Sequence, residues 1–110
     1  MPKYAVFFSL TGETVARFID NPSDRTAAVK AMTDAVGGSV EAYYWMLGKH
    51  DGMVIVDVPD SQSAAAISLA VSASGAITGL ETHELFEAGD LAAMAEKTRS
   101  LRDAYVPPGD

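Results

Sequence analysis

Three side chains in the second half of the chain could take part in proton transfer. Asp57 lies near the end of an apolar run, and Glu81 and His83 lie two residues apart in a later one. A carboxylate among apolar groups must be hydrogen-bonded, or its pKa rises. We therefore interpret Asp57 and His83 as candidate catalytic residues, with Glu81 as a neighbouring ligand contact. The alternatives are a structural carboxylate and a surface histidine.

Hydrophobic patterns and turn residues predict the elements that position these side chains. Strands are predicted over residues 4–10, 39–47, 53–58 and 77–86, and a turn or short helix over residues 13–19. Helices are predicted between the first two strands, between the third and fourth, and over residues 90–104. We expect Asn21 to cap the first main helix, Pro22 to begin it, and Gly37 and Gly38 to end it. The next helix is expected to be capped by the segment Asp60-Ser61-Gln62-Ser63.

Two βαβ units joined by a hairpin define the expected fold. Because βαβ crossovers are right-handed, both crossover helices cover one face of an antiparallel sheet with strand order 4-1-3-2. The prediction is a single α+β domain over residues 1–110, with a ferredoxin-like βαββαβ plan and a C-terminal helix.

The hairpin determines which side chains share a face. A turn centred on Lys49 and His50 places Trp45 opposite Val54 and Ala42 opposite Asp57. The face expected to contact the helices carries Tyr43, Trp45, Val54, Val56 and Val58. The other face, called here the open face, carries Ala42, Tyr44, Met46, Met53, Ile55 and Asp57.

An outer sheet face of this apolar character needs a cover, since the solvated face of an antiparallel sheet is normally polar. We expect a second copy to provide it, which gives a homodimer of the dimeric α/β-barrel type. The alternative is that the C-terminal helix covers the face alone. A pocket between the two faces makes Tyr44, Met46, Met53, Ile55 and Glu81 the predicted ligand contacts.

Distances along the predicted sheet separate the two histidines. His83 and Asp57 are expected at a similar height, about 10 Å apart with one strand between them. His50 is expected at the far end of the sheet, about 20 Å from His83. The sequence has no metal-ligand spacing, phosphate loop or nucleotide fingerprint, so we expect neither a metal nor another cofactor.

Composition limits the classes of partner. The formal net charge is −7, and the few basic residues are scattered, which argues against nucleic acid. The chain has no cysteine, and no apolar run approaches the roughly 20 residues of a membrane span. We expect a cytoplasmic protein that binds neither nucleic acid nor membrane.

The segment from Gly37 to Asp60 resembles the GYD-domain family. Its hairpin turn reads Gly48-Lys49-His50-Asp51, so the glycine and aspartate of the family's Gly-x-Tyr-Asp turn are present and histidine replaces the tyrosine. The resemblance implies a ferredoxin-like dimeric α/β-barrel fold and a turn motif formed by Gly48, His50 and Asp51. The biochemical function of that family is largely unassigned.

Three functions are compatible with these features. The first is a homo-oligomer that binds a small, largely apolar molecule between the open face and its partner. The second is a cofactor-free isomerase or monooxygenase that uses Asp57 or His83 for proton transfer. The third is a structural or regulatory assembly module without a pocket.

Overall fold

A four-stranded antiparallel sheet forms the centre of the protein. The computed structural model describes residues 1–110. Its strands are β1 (Lys3–Leu10), β2 (Ser39–Trp45), β3 (Gly52–Asp57) and β4 (Ile77–Leu85). Their order, β2-β3-β1-β4, confirms the predicted 4-1-3-2 arrangement and the ferredoxin-like α+β fold.

Four helices complete the chain: α1 (Gly12–Asp20), α2 (Arg25–Ala35), α3 (Ser61–Ala73) and α4 (Leu91–Ala104). Helix α1 covers the residues predicted as a turn or short helix and is slightly longer than that prediction. Helix α3 begins as predicted, because the Asp60 carboxylate accepts a hydrogen bond from the Ser63 N–H at 2.8 Å. Gly37, at φ +78°, ends the second helix in the left-handed conformation that glycine tolerates.

The predicted start of α2 is wrong by three residues. The N-cap is Asp24, whose carboxylate accepts from the Thr26 N–H at 3.0 Å, so neither Asn21 nor Pro22 begins the helix. Asn21 ends α1 instead, since its N–H donates to the Arg17 carbonyl at 2.9 Å. The residues predicted to start α2 therefore lie at the end of α1 and in the link between the two helices.

The core lies between the sheet and helices α2 and α3. The valine-rich face is confirmed as the helix-facing side, because Val54, Val56 and Val58 are all buried. The buried cluster comprises Tyr4, Val6, Val54, Val56, Val58, Ala64 and Ile67. Removing this apolar surface from water is the main favourable contribution to folding.

The β2–β3 register differs from the predicted one by two residues. Trp45 lies opposite Gly52 and Ala42 opposite Ile55, so the predicted partners, Val54 and Asp57, are wrong. Strand β2 ends at Trp45 and β3 begins at Gly52, which leaves a longer loop between them than the predicted turn. A shift of two keeps the paired side chains from Ala42 to Trp45 on their predicted faces, because side chains alternate with a period of two, and a bulge interrupts the register between Val40 and Ala42.

Helix α4 stands away from the sheet. It follows a 3-10 turn at Ala88–Asp90, and none of its residues is buried. Leu91 and Leu101 remain 65% and 69% exposed, so α4 does not cover the open face within one chain. The radius of gyration, 17.8 Å, is accordingly larger than the about 13 Å expected for a compact domain of this length.

One glycine is fixed by close packing and provides a test of this fold. A Cβ at Gly38 would overlap the Asp57 carbonyl oxygen, whereas a Cβ at Gly79 meets nothing within 4 Å. We expect Gly38→Ala to lower the free energy of unfolding by about 1–3 kcal/mol, because backbone must shift. Gly79→Ala is the control and should leave it within about 0.5 kcal/mol. Urea unfolding followed by Trp45 fluorescence measures both, and equal effects would contradict the packing.

Candidate functional site

The loop between β2 and β3 is fastened to β1 by Asp51. The Asp51 carboxylate accepts from the Leu10 N–H at 2.7 Å, and its own N–H donates to the Phe8 carbonyl at 2.8 Å. The Ser9 hydroxyl donates to the Lys49 carbonyl at 3.1 Å. The loop therefore folds back along the sheet instead of projecting beyond it, and Asp51 has a structural role in the turn motif.

This fold-back brings two histidines onto one carboxylate. The His50 and His83 Nε2 atoms lie 3.5 Å and 3.3 Å from the two oxygens of Glu81. Both rings also pack on Phe7, with centroid distances of 5.7 Å and 5.8 Å. The expected 20 Å separation of His50 and His83 is wrong, because it assumes an extended turn at the end of the sheet.

Glu81 is the electrostatic centre of this group. The hydrogen bond from His83 holds the pKa of Glu81 below its ordinary value, and the charges of His50 and Lys49 act in the same direction against partial desolvation. The His50 Nδ1 atom lies 3.3 Å from the Ser9 hydroxyl. No group of three or more His, Cys, Asp or Glu side chains is arranged to hold a metal ion.

Asp57 lies apart from these groups. Its carboxylate accepts from the Lys3 ammonium at 3.0 Å, and the same ammonium pairs with Glu41. Register through β1 places Asp57 level with Leu85, whereas His83 is level with Ile55. The predicted similar height is therefore wrong by two residues, which makes the strand-geometry separation about 12 Å.

The remaining predicted contacts lie on the open face or its loop. Met53 and Ile55 on β3 are half-buried, and Tyr44 on β2 is 58% exposed. Met46 follows the end of β2, with its N–H bonded to the Asp51 carbonyl at 2.9 Å. Gly48, at φ +123°, supplies the left-handed conformation in the loop.

The principal cavity of the chain lies on the opposite side, between the sheet and helices α1, α2 and α3. Its volume is about 770 Å³, and most of its lining side chains are apolar. Four aromatic rings line one wall of it. The Phe8 ring lies 5.8 Å from Tyr43 and 5.9 Å from Trp45, Tyr43 lies 5.5 Å from Trp45, and Trp45 lies 5.1 Å from Phe18.

Small side chains on the helices leave this volume unfilled. Helix α3 is rich in alanine and serine, and it presents Ala70 and Ser74 to the cavity, while α2 presents Ala28. Helix α1 borders the space without burying any of its residues. Trp45 is consequently 47% exposed although it lies on the helix-facing side of the sheet.

Two polar groups of the lining have no partner within the chain. Tyr43 is half-buried, and desolvation raises the pKa of its hydroxyl while the charge of Arg25 opposes that rise. Neither the Tyr43 hydroxyl nor the Arg25 guanidinium has a side-chain hydrogen bond, and Arg25 has no ion pair. Arg17, by contrast, pairs with Glu13 at 2.8 Å.

Sequence reasoning missed this cavity. It treats Tyr43 and Trp45 as ordinary core residues and assigns no role to Phe18 or Arg25. The available signal is the run of small side chains in α3, which cannot fill the space opposite a row of aromatic rings. Spacing alone does not reveal where α1 lies, and α1 closes the cavity on one side.

The strand order and helix placement define the ferredoxin-like class of α+β proteins, and comparisons with known proteins agree. TTHA0845 from Thermus thermophilus has a similar fold, with a TM-score of 0.52 and 17% identity over 80% of this chain and 96% of that one. The hypothetical protein PHS023 from Pyrococcus horikoshii is also similar, with a TM-score of 0.50 and 13% identity over 82% of this chain and 95% of that one.

A comparison with models of protein families identifies the family of this chain. The model of the GYD domain matches residues 4–95, so the chain belongs to the GYD-domain family. No curated protein matches the chain significantly. None of the helices has both the length and the apolar character needed to cross a membrane.

The lowered pKa of Glu81 predicts how stability depends on pH and on each histidine. Because the pKa is lowered in the folded protein, ionised Glu81 stabilises the fold above its ordinary pKa, and this contribution is lost as the pH falls through the lowered value. We expect His83→Ala to raise the pKa of Glu81 and His50→Ala to raise it less. Carboxyl carbon NMR titration measures both. A larger effect of His50→Ala would contradict the arrangement.

Proposed function

We propose that this GYD domain binds a small, largely apolar molecule in the helix-side cavity, and that it does so as a homodimer. The observation that supports binding is the cavity itself, with a volume of about 770 Å³ and a row of aromatic rings. Ligand sites are typically concave, about 300–1,000 Å³ in volume, and mostly apolar with a few polar groups.

Incomplete burial of the aromatic residues supports the same proposal. Trp45 stays 47% exposed and Phe18 half-buried, although the two rings are in contact. A ligand that fills the space would remove their surface from water, at about 25 cal/mol for each Å² of apolar area. The cavity is lined by no histidine, which favours binding over acid–base chemistry at this position.

The open face supports the homodimer. The accessible surface of the chain is 7474 Å², about 1,600 Å² more than a compact monomer of this mass exposes. A stable interface removes about 800 Å² from each partner, so this excess is enough for one. Phe7, Met53 and Ile55 form the apolar centre of the face that a second copy would cover.

Helix α4 adds to the surface available for a partner. It carries three basic residues against two acidic ones, whereas residues 1–86 carry five basic against ten acidic. Opposite net charge favours contact between α4 of one copy and the body of the other. Its exposed apolar residues, including Leu91 and Leu101, would be buried by the same contact.

Proton-transfer catalysis on the open face is a second candidate. The observation that favours it is the placement of His50 and His83 on the Glu81 carboxylate. Two imidazoles that share a carboxylate suit general acid–base work near neutral pH. A second copy would shield this group from water and could close a site around it.

Filling the cavity tests the binding proposal. Ala28 is half-buried and lines the cavity, whereas Ala27 is exposed and does not. We expect Ala28→Phe to weaken the binding of phenylnaphthylamine, a neutral fluorescent probe, at least about tenfold, which is about 1.4 kcal/mol. Ala27→Phe is the matched control. Energy transfer from Trp45, the sole tryptophan, reports that the probe is bound, and the difference between the two variants assigns the binding to the cavity. Equal affinities of the two variants would refute the site.

A charge on the open face tests the homodimer. We expect the wild-type chain to sediment at twice its 11.6 kDa mass, and Ile55→Lys to sediment at the monomer mass. The physical reason is that lysine keeps its ammonium in water and opposes burial of the face. Leu69→Lys, at a position on α3 that is 71% exposed, should remain dimeric. A folded Ile55→Lys dimer would contradict this interface.

A further inference from the structure

The cavity contains one cation without a partner. Of the charged residues that line it, Arg17 and Glu13 neutralise each other at 2.8 Å, which leaves Asp20 and Arg25. Asp20 ends α1 and Arg25 begins α2, and both side chains are exposed. Arg25 and the half-buried Tyr43 both line the cavity, and the charge of Arg25 opposes the rise in the pKa of the Tyr43 hydroxyl that desolvation causes.

The helix dipole does not favour a basic residue at the position of Arg25. It is the first residue of α2, directly after the N-cap Asp24. The N-terminus of a helix carries a partial positive charge, so acidic side chains stabilise that position and basic ones destabilise it. Helix stability therefore does not account for a cation here. A guanidinium offers five N–H donors, whose natural acceptor is an anionic group.

We propose that the ligand of the cavity is an apolar molecule with one anionic group, carboxylate or sulfonate in type, which binds Arg25 beside the Tyr43 hydroxyl. This inference rests on the proposed binding function of the cavity. The apolar part of the ligand would lie along Phe8, Trp45 and Phe18, and the acid group would lie toward the N-terminus of α2. Arg25 then selects organic acids over neutral molecules of the same shape.

Two probes that share one ring system separate the two parts of the ligand. Anilinonaphthalene sulfonate carries an anionic group, and phenylnaphthylamine is its neutral counterpart. We expect Arg25→Gln to weaken binding of the sulfonate at least about tenfold and binding of the neutral probe less than about twofold, since only the former loses a charge-assisted hydrogen bond. Arg25→Lys should recover part of the loss.

A matched control lies on the same helix. Lys30 is exposed, pairs with Asp34 at 2.7 Å and does not line the cavity. Lys30→Gln removes the same charge from the protein and should change neither affinity. Equal weakening by Lys30→Gln and Arg25→Gln would attribute the effect to net charge alone and overturn the inference.

The outcomes distinguish this inference from the proposed function. If both probes bind, Ala28→Phe weakens both, and Arg25→Gln affects them equally or not at all, then the cavity binds ligands but Arg25 does not select acids. If neither probe binds with energy transfer from Trp45, or Ala28→Phe changes nothing, then both the binding function and the inference fail.

Discussion

The central pair of strands has apolar side chains on both faces, and the rest of the structure depends on this constraint. Strand β1 directs Tyr4, Val6 and Phe8 toward the helices and Ala5 and Phe7 away from them, and β3 alternates in the same way. Such a sheet must be covered twice to be removed from water. The helices of one chain cover one side only, and they do so incompletely, which leaves a cavity above the aromatic row. The other side is the face that we propose a second copy covers.

The loop that carries the family motif lies against the open-face side of the sheet. Asp51 fixes it to β1, so the residues before it run back over the open face. The histidine that stands in place of the family's tyrosine reaches Glu81, which lies on the far edge strand. One short loop thus adds Lys49 and His50 to the charged groups that β4 places on the face proposed to meet the partner. The cavity and the interface are separated by the thickness of the sheet.

The sequence predicted the strand order, the division of faces and the cap of α3, because each depends on local patterns: alternation with a period of two, and Asp60 before an apolar helix. It did not predict contacts that depend on how segments fold back in space. His50 illustrates this limit, since its place over the sheet comes from hydrogen bonds between Asp51 and a strand about forty residues earlier. The cavity was missed for a related reason. Small residues of α2 and α3 form part of its walls, and the volume left beside them depends on where α1 packs.

The methionine side chains allow the central claim, that one face binds a ligand and the other meets a second copy, to be measured directly. Met32 lines the cavity, whereas Met53 lies on the open face beside Phe7 and Tyr44. The measurement is the methyl NMR spectrum of the full chain, recorded during titration with phenylnaphthylamine and again on dilution. The account predicts that the probe shifts the Met32 methyl and leaves Met53 in place, and that dilution to the monomer shifts Met53 and leaves Met32. A probe-induced shift at Met53 without one at Met32 would contradict it.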